Sequence, residues 1–229
     1  MSFHHSPSIV KNGLVLCLDA KDLKSYSSSG TTWTDRSGLG NNGTLVNGVG
    51  YSNGAMVFDG VNDYVTVPTN TSIDLINTVS LESYIKYTTT INTVCIEKSA
   101  NNTHYQFQVF SNTQGTIGVA GELVFMLQPN DKNWVVSKES SNDGNWHHVV
   151  GTYDRSLTTA KIYIDGILKN TNSSILYGPA SNNQPLLIGS RTGLAGFGGS
   201  ISLIRIYNRA LSPEEILQNY NATKSRFQL

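Results

Sequence analysis

The chain has 229 residues, which is enough for one large all-β domain or two small ones with a sizeable core. Sixteen basic and sixteen acidic residues give a formal net charge of zero. This balance argues against nucleic acid or an anionic membrane as the main partner, because both require a concentrated basic face. No stretch approaches the ~20 apolar residues of a membrane-spanning helix, and no secretory signal is visible.

Short apolar or alternating runs, bounded by Gly, Asn, Asp and Ser, recur along the whole chain and are typical of a β-sandwich or jelly roll. In chain order, the predicted strands are Gly13–Asp19, Gly43–Val46, Ala55–Asp59, Tyr64–Val67, Val79–Tyr87, Thr93–Glu97, Tyr105–Phe110, Thr116–Val119, Leu123–Leu127, Trp134–Ser137, Trp146–Tyr153, Ala160–Ile164, Leu186–Gly189 and Ser200–Tyr207. Between two apolar runs, Asp165-Gly166 predicts a two-residue hairpin turn. No Pro/Ser-rich linker divides the chain, so we expect a lead-in of residues 1–12 and one domain of residues 13–229.

One helix is predicted near the end of the chain. Ser212 suits the N-cap, Pro213 the first helical position, and Glu215 the third position of a capping box. We expect about two turns packed against the sandwich. The apolar positions are a hydrophobic staple of Leu211 and Ile216, extended by Leu217 and Tyr220.

The two cysteines, Cys17 and Cys95, each lie within an apolar, strand-like run. Nothing in the sequence indicates export to an oxidising compartment, so we expect buried free thiols rather than a disulfide. A zinc site shared with distant histidines stays open, although no ligand spacing supports it.

Seven groups of motifs follow one another in an order that is more specific than any one of them. They are Gly13–Asp19 with Trp33–Leu45, Val57–Val65, Val79–Lys86, Asn145–Asp154, Tyr163–Gly166, Leu187–Ser190 and Gly198–Ser212. In this order they resemble the laminin G-like, concanavalin A-type jelly-roll domains, from about Gly13 to Tyr220. One departure is Tyr84, where many relatives carry Trp. The resemblance implies two antiparallel sheets packed face to face. It does not imply one activity, because such domains bind glycans or proteins, act as spacers, or form the scaffold of glycoside hydrolases and lyases.

The adjacent histidines His147 and His148 suggest a catalytic or metal site at first sight. Successive strand residues point to opposite faces, so the two rings cannot converge on one metal or substrate atom. We therefore expect one ring to be packed and hydrogen-bonded while the other meets solvent or a loop.

The chain lacks the carboxylate pattern of a glycoside hydrolase. Laminarinase-like jelly rolls place two glutamates at positions i and i+4 of one strand, and retaining hydrolysis needs such a pair close together. Here Glu82 is followed by Tyr84 and Lys86. We therefore expect no enzyme activity; a polysaccharide-degrading hydrolase is a disfavoured alternative, and lyase chemistry through Tyr and His stays open.

Two loops carry the oxygen ligands that calcium prefers. One contains Asp35 and Asn41, and the other contains Asp59 and Asp63. The resemblance implies structural calcium at such loops, so we predict Asp63 first, then Asp35 and Asn41, as calcium ligands. The alternative is that these residues only form turns around glycines of positive φ.

Glycan binding requires exposed aromatic rings beside hydrogen-bonding groups. Trp134 and Tyr177 are the predicted ligand-binding residues, since both lie in polar stretches; the alternative for each is packing within the sandwich.

Taken together, the sequence favours a non-enzymatic surface-display or adhesion module that binds a glycan or a protein. Segments such as Asn42–Leu45 and Phe58–Gly60 are similar to those of jelly rolls in phage tails, fibres and capsid decorations. We therefore expect a virion-surface protein, made in the host cytoplasm, with other virion or surface proteins as further partners. The alternative is a secreted, extracellular carbohydrate-binding lectin. Assembly into a homo-oligomer stays open, although no coiled-coil heptads are present.

Overall fold

The computed structural model describes residues 8–88, 93–100, 103–109, 121–127, 133–190 and 196–229. Within these ranges the chain forms sixteen strands, one α-helix and short 3-10 turns. The strands are β1 (Leu14–Asp19), β2 (Thr32–Trp33), β3 (Gly43–Val46), β4 (Gly50–Ser52), β5 (Ala55–Asp59), β6 (Tyr64–Val67), β7 (Thr78–Tyr87), β8 (Thr93–Ala100), β9 (Thr103–Val109), β10 (Glu122–Met126), β11 (Trp134–Ser140), β12 (Trp146–Asp154), β13 (Thr159–Ile164), β14 (Ile167–Asn172), β15 (Leu186–Ile188) and β16 (Gly198–Tyr207). The predicted strand Thr116–Val119 lies outside the described residues.

The strands form two antiparallel sheets, each with eight strands in the described part of the chain. The first sheet has the order β14-β13-β12-β7-β16-β5-β4, with β1 also paired to β16, and the second has the order β11-β10-β9-β8-β15-β6-β3-β2. Their inner faces share one apolar core, which includes Trp33, Phe125 and Tyr153. The predicted two-sheet antiparallel jelly roll is confirmed.

The hairpin turn and the two cysteines have the structures that the sequence predicts. Asp165 and Gly166 have φ values of 53° and 77°, the two positive angles of the predicted hairpin turn. Cys17 and Cys95 are buried free thiols, as predicted. Strands β2 and β4 were not predicted, because runs of two and three residues are too short to show alternation.

Helix α1 (Pro213–Thr223) lies on the outer face of the first sheet. Its capping box between Ser212 and Glu215 is formed as predicted. Its length was underestimated, since it has 11 residues rather than two turns. The predicted apolar stripe was wrong at Leu217, which is 47% exposed, because the helix buries Asn219 and Thr223 against a polar sheet surface.

Both described ends of the chain attach to this same face. The Val10 amide donates to Asn219 Oδ1 at 2.8 Å, and the Val10 carbonyl accepts from Tyr207 Oη at 3.1 Å. Phe227 stacks on Tyr84 with ring centroids 4.0 Å apart. No helix in the described ranges is both long and apolar enough to span a bilayer.

Candidate functional site

The two histidines of β12 point to different environments, as strand alternation predicts. His147 lies at the strand end, where its Nδ1 is 2.9 Å from Asp165 Oδ2 and its Nε2 is 3.2 Å from Asp143 Oδ1. The hydrogen bond to Asp165, helped by Asp143, raises the pKa of His147. This ring therefore fastens the hairpin turn to the loop before β12.

His148 is fully buried between the first sheet and α1. Its Nε2 is 2.9 Å from Glu82 Oε1, which makes Nε2 the donor to the carboxylate. In the described part of the chain, Nδ1 has no hydrogen-bond partner. The ring also packs against Tyr84, with centroids 4.8 Å apart. His148 is thus part of the packing beneath the helix, where its ring also lies 5.6 Å from that of Tyr220.

Glu82 is the centre of this buried polar cluster. Oε1 accepts from Arg205 Nη1 at 2.7 Å as well as from His148, and Oε2 accepts from Asn219 Nδ2 at 2.8 Å. Burial by itself raises the pKa of Glu82, but the Arg205 guanidinium and the hydrogen bonds outweigh burial and lower it to about 2. Glu82, which occupies the first glutamate position of the hydrolase pattern, is therefore a structural carboxylate that fixes α1 on the sheet.

Two further buried carboxylates, Glu97 and Glu122, lie on the second sheet and were missed in the sequence because they are on separate strands. Glu97 is level with Met126, through Gln106 on the strand between them. Glu122 lies four residues from Met126, so the Cα atoms of the two acids are about 13 Å apart along the strands and about 10 Å across them, or roughly 16 Å in all. Glycosidases need separations of about 5 to 9.5 Å. This pair is too far apart for that chemistry.

The predicted calcium ligands fall into two separate loops. Asn41 precedes β3, whereas Asp63 lies at the far end of β3, since its neighbour Tyr64 pairs with Val46. Six residues of extended chain place the loops roughly 15 to 20 Å apart. No group of three or more His, Cys, Asp or Glu side chains suited to a metal occurs among the described residues.

The Asp35 carboxylate is already surrounded by donors from its own loop and from β1. Oδ1 accepts from the amides of Cys17 and Ser37, while Oδ2 accepts from Ser37 Oγ and the Asn41 amide. These four donors fill its lone pairs, so Asp35 does not fit a calcium ion. Asn41 differs, because its Oδ1 is buried without a donor in the described residues.

Asp63 has a different role in its loop. Its Oδ2 accepts from the Asp59 amide at 3.2 Å, and no hydrogen bond to Oδ1 is formed by the described residues. Asp63 is 5% exposed. A carboxylate with one oxygen unused fits a calcium ligand better than Asp35 does, so calcium at Asp63 stays a prediction.

The structure brings the segments of the two predicted aromatic ligands together. Asn133, which precedes Trp134, accepts hydrogen bonds at Oδ1 from the amides of Leu176 at 2.8 Å and Tyr177 at 3.1 Å. Asn172 Nδ2 donates to the Trp134 carbonyl at 2.9 Å. The chain after β14 is therefore fixed against the first residues of β11, at the edge where the two sheets meet.

The two rings differ in accessibility. Trp134 is half-buried on the outer face of the second sheet, where it packs against Val124 and Met126. Tyr177 is 54% exposed and is the only aromatic residue among the exposed large apolar residues in the described ranges. Its neighbour Leu176 is 69% exposed. An accessible ring beside an aliphatic side chain can cover the apolar face of a sugar.

A laminin G family model, described as the concanavalin A-like lectin/glucanases superfamily, matches residues 59–217. The chain belongs to this superfamily. Sushi, von Willebrand factor type A, EGF and pentraxin domain-containing protein 1 of Rattus norvegicus is 29% identical over 101 residues. That match covers 40% of this chain and 3% of the rat protein, so the chain corresponds to a small part of that relative.

Solved structures of binding domains share the superfamily fold. The binding domain of Paraclostridial Mosquitocidal Protein 1 has a TM-score of 0.72 at 18% identity, over 93% of this chain and 52% of that one. The botulinum neurotoxin serotype D binding domain gives 0.70 at 17% identity, over 92% and 52%. Domain 4 of AbnA, an extracellular arabinanase from Geobacillus stearothermophilus in complex with arabinotriose, gives 0.68 at 19% identity, over 90% and 98%. This chain spans about half of each toxin domain.

Proposed function

We propose that this chain is a non-catalytic binding module that recognises a glycan at the edge where β11 meets the loop after β14. The observation that carries this proposal is Tyr177, an exposed ring on a loop fixed by Asn133. An exposed ring on a fixed loop can bind a sugar at low entropic cost, because the loop is ordered before the ligand arrives. Trp134, half-buried on β11 next to Asn133, is the second aromatic ring of the proposed site.

The positions of the buried acids support a binding role without catalysis. Glu82 is held by Arg205, His148 and Asn219 beneath α1, out of reach of a ligand on the second sheet. Glu97 and Glu122 are too far apart to act as a glycosidase pair. Domain 4 of AbnA, which shares the fold, was solved with arabinotriose and makes that trisaccharide a reasonable first probe.

The test is binding of the purified chain to arabinotriose and to an array of plant, bacterial and animal glycans. We expect selective binding that Tyr177→Ala weakens at least ten-fold, because losing a central aromatic contact costs about 1.4 kcal/mol or more. Leu217→Ala is the matched control, since Leu217 is also exposed and apolar but lies on α1. It should bind like the unmodified chain.

Two outcomes would contradict the proposal. One is the absence of binding to every glycan on the array, which would favour a protein partner instead. The other is equal loss in Tyr177→Ala and Leu217→Ala, which would show a general effect on stability. Release of reducing ends from any bound polysaccharide would overturn the non-catalytic part.

For the place of action, we propose the surface of a virion, as a capsid decoration or a tail-fibre component, with a secreted lectin as the alternative. The support is the similarity of its motifs to those of phage structural proteins. Antibody labelling of purified particles from the source is the test. Particles that lack the protein would exclude the virion proposal and leave the glycan proposal untouched.

A further inference from the structure

A pocket of about 540 Å³ lies away from the Tyr177 loop, between the start of the chain, β1 and the end of α1. Its volume is within the range of small-molecule sites. Ser37 and Thr223 are the lining residues that carry hydroxyl groups. The charged lining residues are Lys11, Asp19, Asp22, Arg36, Arg205 and Arg226.

Most of these charges are compensated in pairs. Arg226 makes two hydrogen bonds to Asp19 at 2.8 and 2.5 Å, and Arg36 Nε lies 3.3 Å from Asp22. Arg205 is compensated from behind the wall by Glu82. Lys11 is exposed and forms no ion pair with any described residue. The pocket therefore has one uncompensated positive charge, at its rim.

The innermost charged group is Arg205, which is 2% exposed. Its Nε has no acceptor among the described residues. Cys17 pairs with it across β1 and β16 but supplies no negative charge, since burial raises the pKa of that thiol to about 11. The inner wall is thus rich in hydrogen-bond donors, while the charge of Arg205 is balanced by Glu82.

The mixed lining selects among possible anions. A phosphate or sulfate ion would meet the carboxylates of Asp19 and Asp22 as well as the cations. Hydroxyl groups, in contrast, both accept from arginine and donate to aspartate. We propose that this pocket binds a sugar acid, a polyol with a single carboxylate that pairs with Lys11. This inference does not depend on the Tyr177 site.

The test is titration calorimetry of the full chain with D-glucuronate, D-glucose and sodium phosphate. We expect glucuronate to bind at least ten-fold more tightly than glucose or phosphate, and more weakly as salt rises. Lys11→Gln should weaken glucuronate binding about five-fold and bring it closer to glucose. Arg36→Gln, a second exposed position, should also weaken binding. Lys138→Gln, an exposed lysine on β11, is the charge-matched control and should have no effect.

The proposal is overturned if glucose or phosphate binds as tightly as glucuronate, if glucuronate does not bind at millimolar concentration, or if Lys11→Gln binds like the unmodified chain. Tyr177→Ala should leave glucuronate binding unchanged. The two sites can therefore fail independently, and each result is assigned to one of them.

Discussion

The substitution Glu82→Gln tests the buried cluster beneath α1 most directly. It keeps the size of the side chain and removes its charge, so Arg205 is left as a buried cation without a counter-ion. Breaking a buried pair in this way costs about 3 to 5 kcal/mol. The lowered pKa gives a similar figure, since a change from 4.5 to about 2 corresponds to about 3 kcal/mol at about 1.36 kcal/mol per unit.

Thermal and urea unfolding would measure this loss. A chain of this size loses about 2 to 4 °C of Tm per kcal/mol, so we expect a decrease of about 6 to 20 °C. The control is Glu139→Gln, which removes a surface pair with Lys169 and should cost about 1 kcal/mol or less. Combining Glu82→Gln with Arg205→Met should recover part of the stability, because both charges are then gone.

The pH dependence gives a second readout of the same carboxylate. Its pKa is lowered in the folded state, so its contribution is fully present above pH 4.5 and is lost as the pH falls toward 2. Glu82→Gln should remove that part of the acid dependence. A loss below 1 kcal/mol in the single variant, or a double variant no better than the sum of the two single ones, would refute this account of the cluster.

Three other predictions concern separate parts of the molecule. The pKa of His147 is raised in the folded state, so its contribution to stability is present below pH 6.5 and is lost as the pH rises through the folded-state pKa. The Tm of the unmodified chain should therefore fall between pH 6 and 9, and the Tm of His147→Asn should lack this fall. Ser212→Ala removes the N-cap of α1 and should cost about 1 kcal/mol in urea unfolding, whereas Ser156→Ala, in an exposed turn, should cost less. If Asp63 binds calcium, chelator should lower the Tm of the unmodified chain but not that of Asp63→Asn, and an unchanged Tm would remove the metal prediction.

The sequence predicted the sandwich well because its strands are bounded by strong turn signals. Asp165-Gly166 and the capping box around Ser212 are local chemistry, so no long-range information was needed to place them. The separation of His147 from His148 also followed from strand alternation alone.

The candidate site was less predictable, since it depends on pairings between distant segments. Glu82 and Arg205 are 123 residues apart, and no spacing rule joins them. The hydrogen bond from the Tyr177 amide to Asn133 likewise becomes visible only when β11 and the chain after β14 are placed side by side. Leu217 was predicted to be buried, because a polar sheet surface beneath a helix leaves no trace in the helix itself.

The attachment of both described ends to one face has a mechanical consequence. The start of β1 pairs with the end of β16, so opposite forces on residues 8 and 229 would peel these strands apart one hydrogen bond at a time. The bonds of Val10 to Asn219 and Tyr207 have to open before that peeling can begin. If the domain is held under tension, these two hydrogen bonds would therefore help to determine the force at which it begins to unfold.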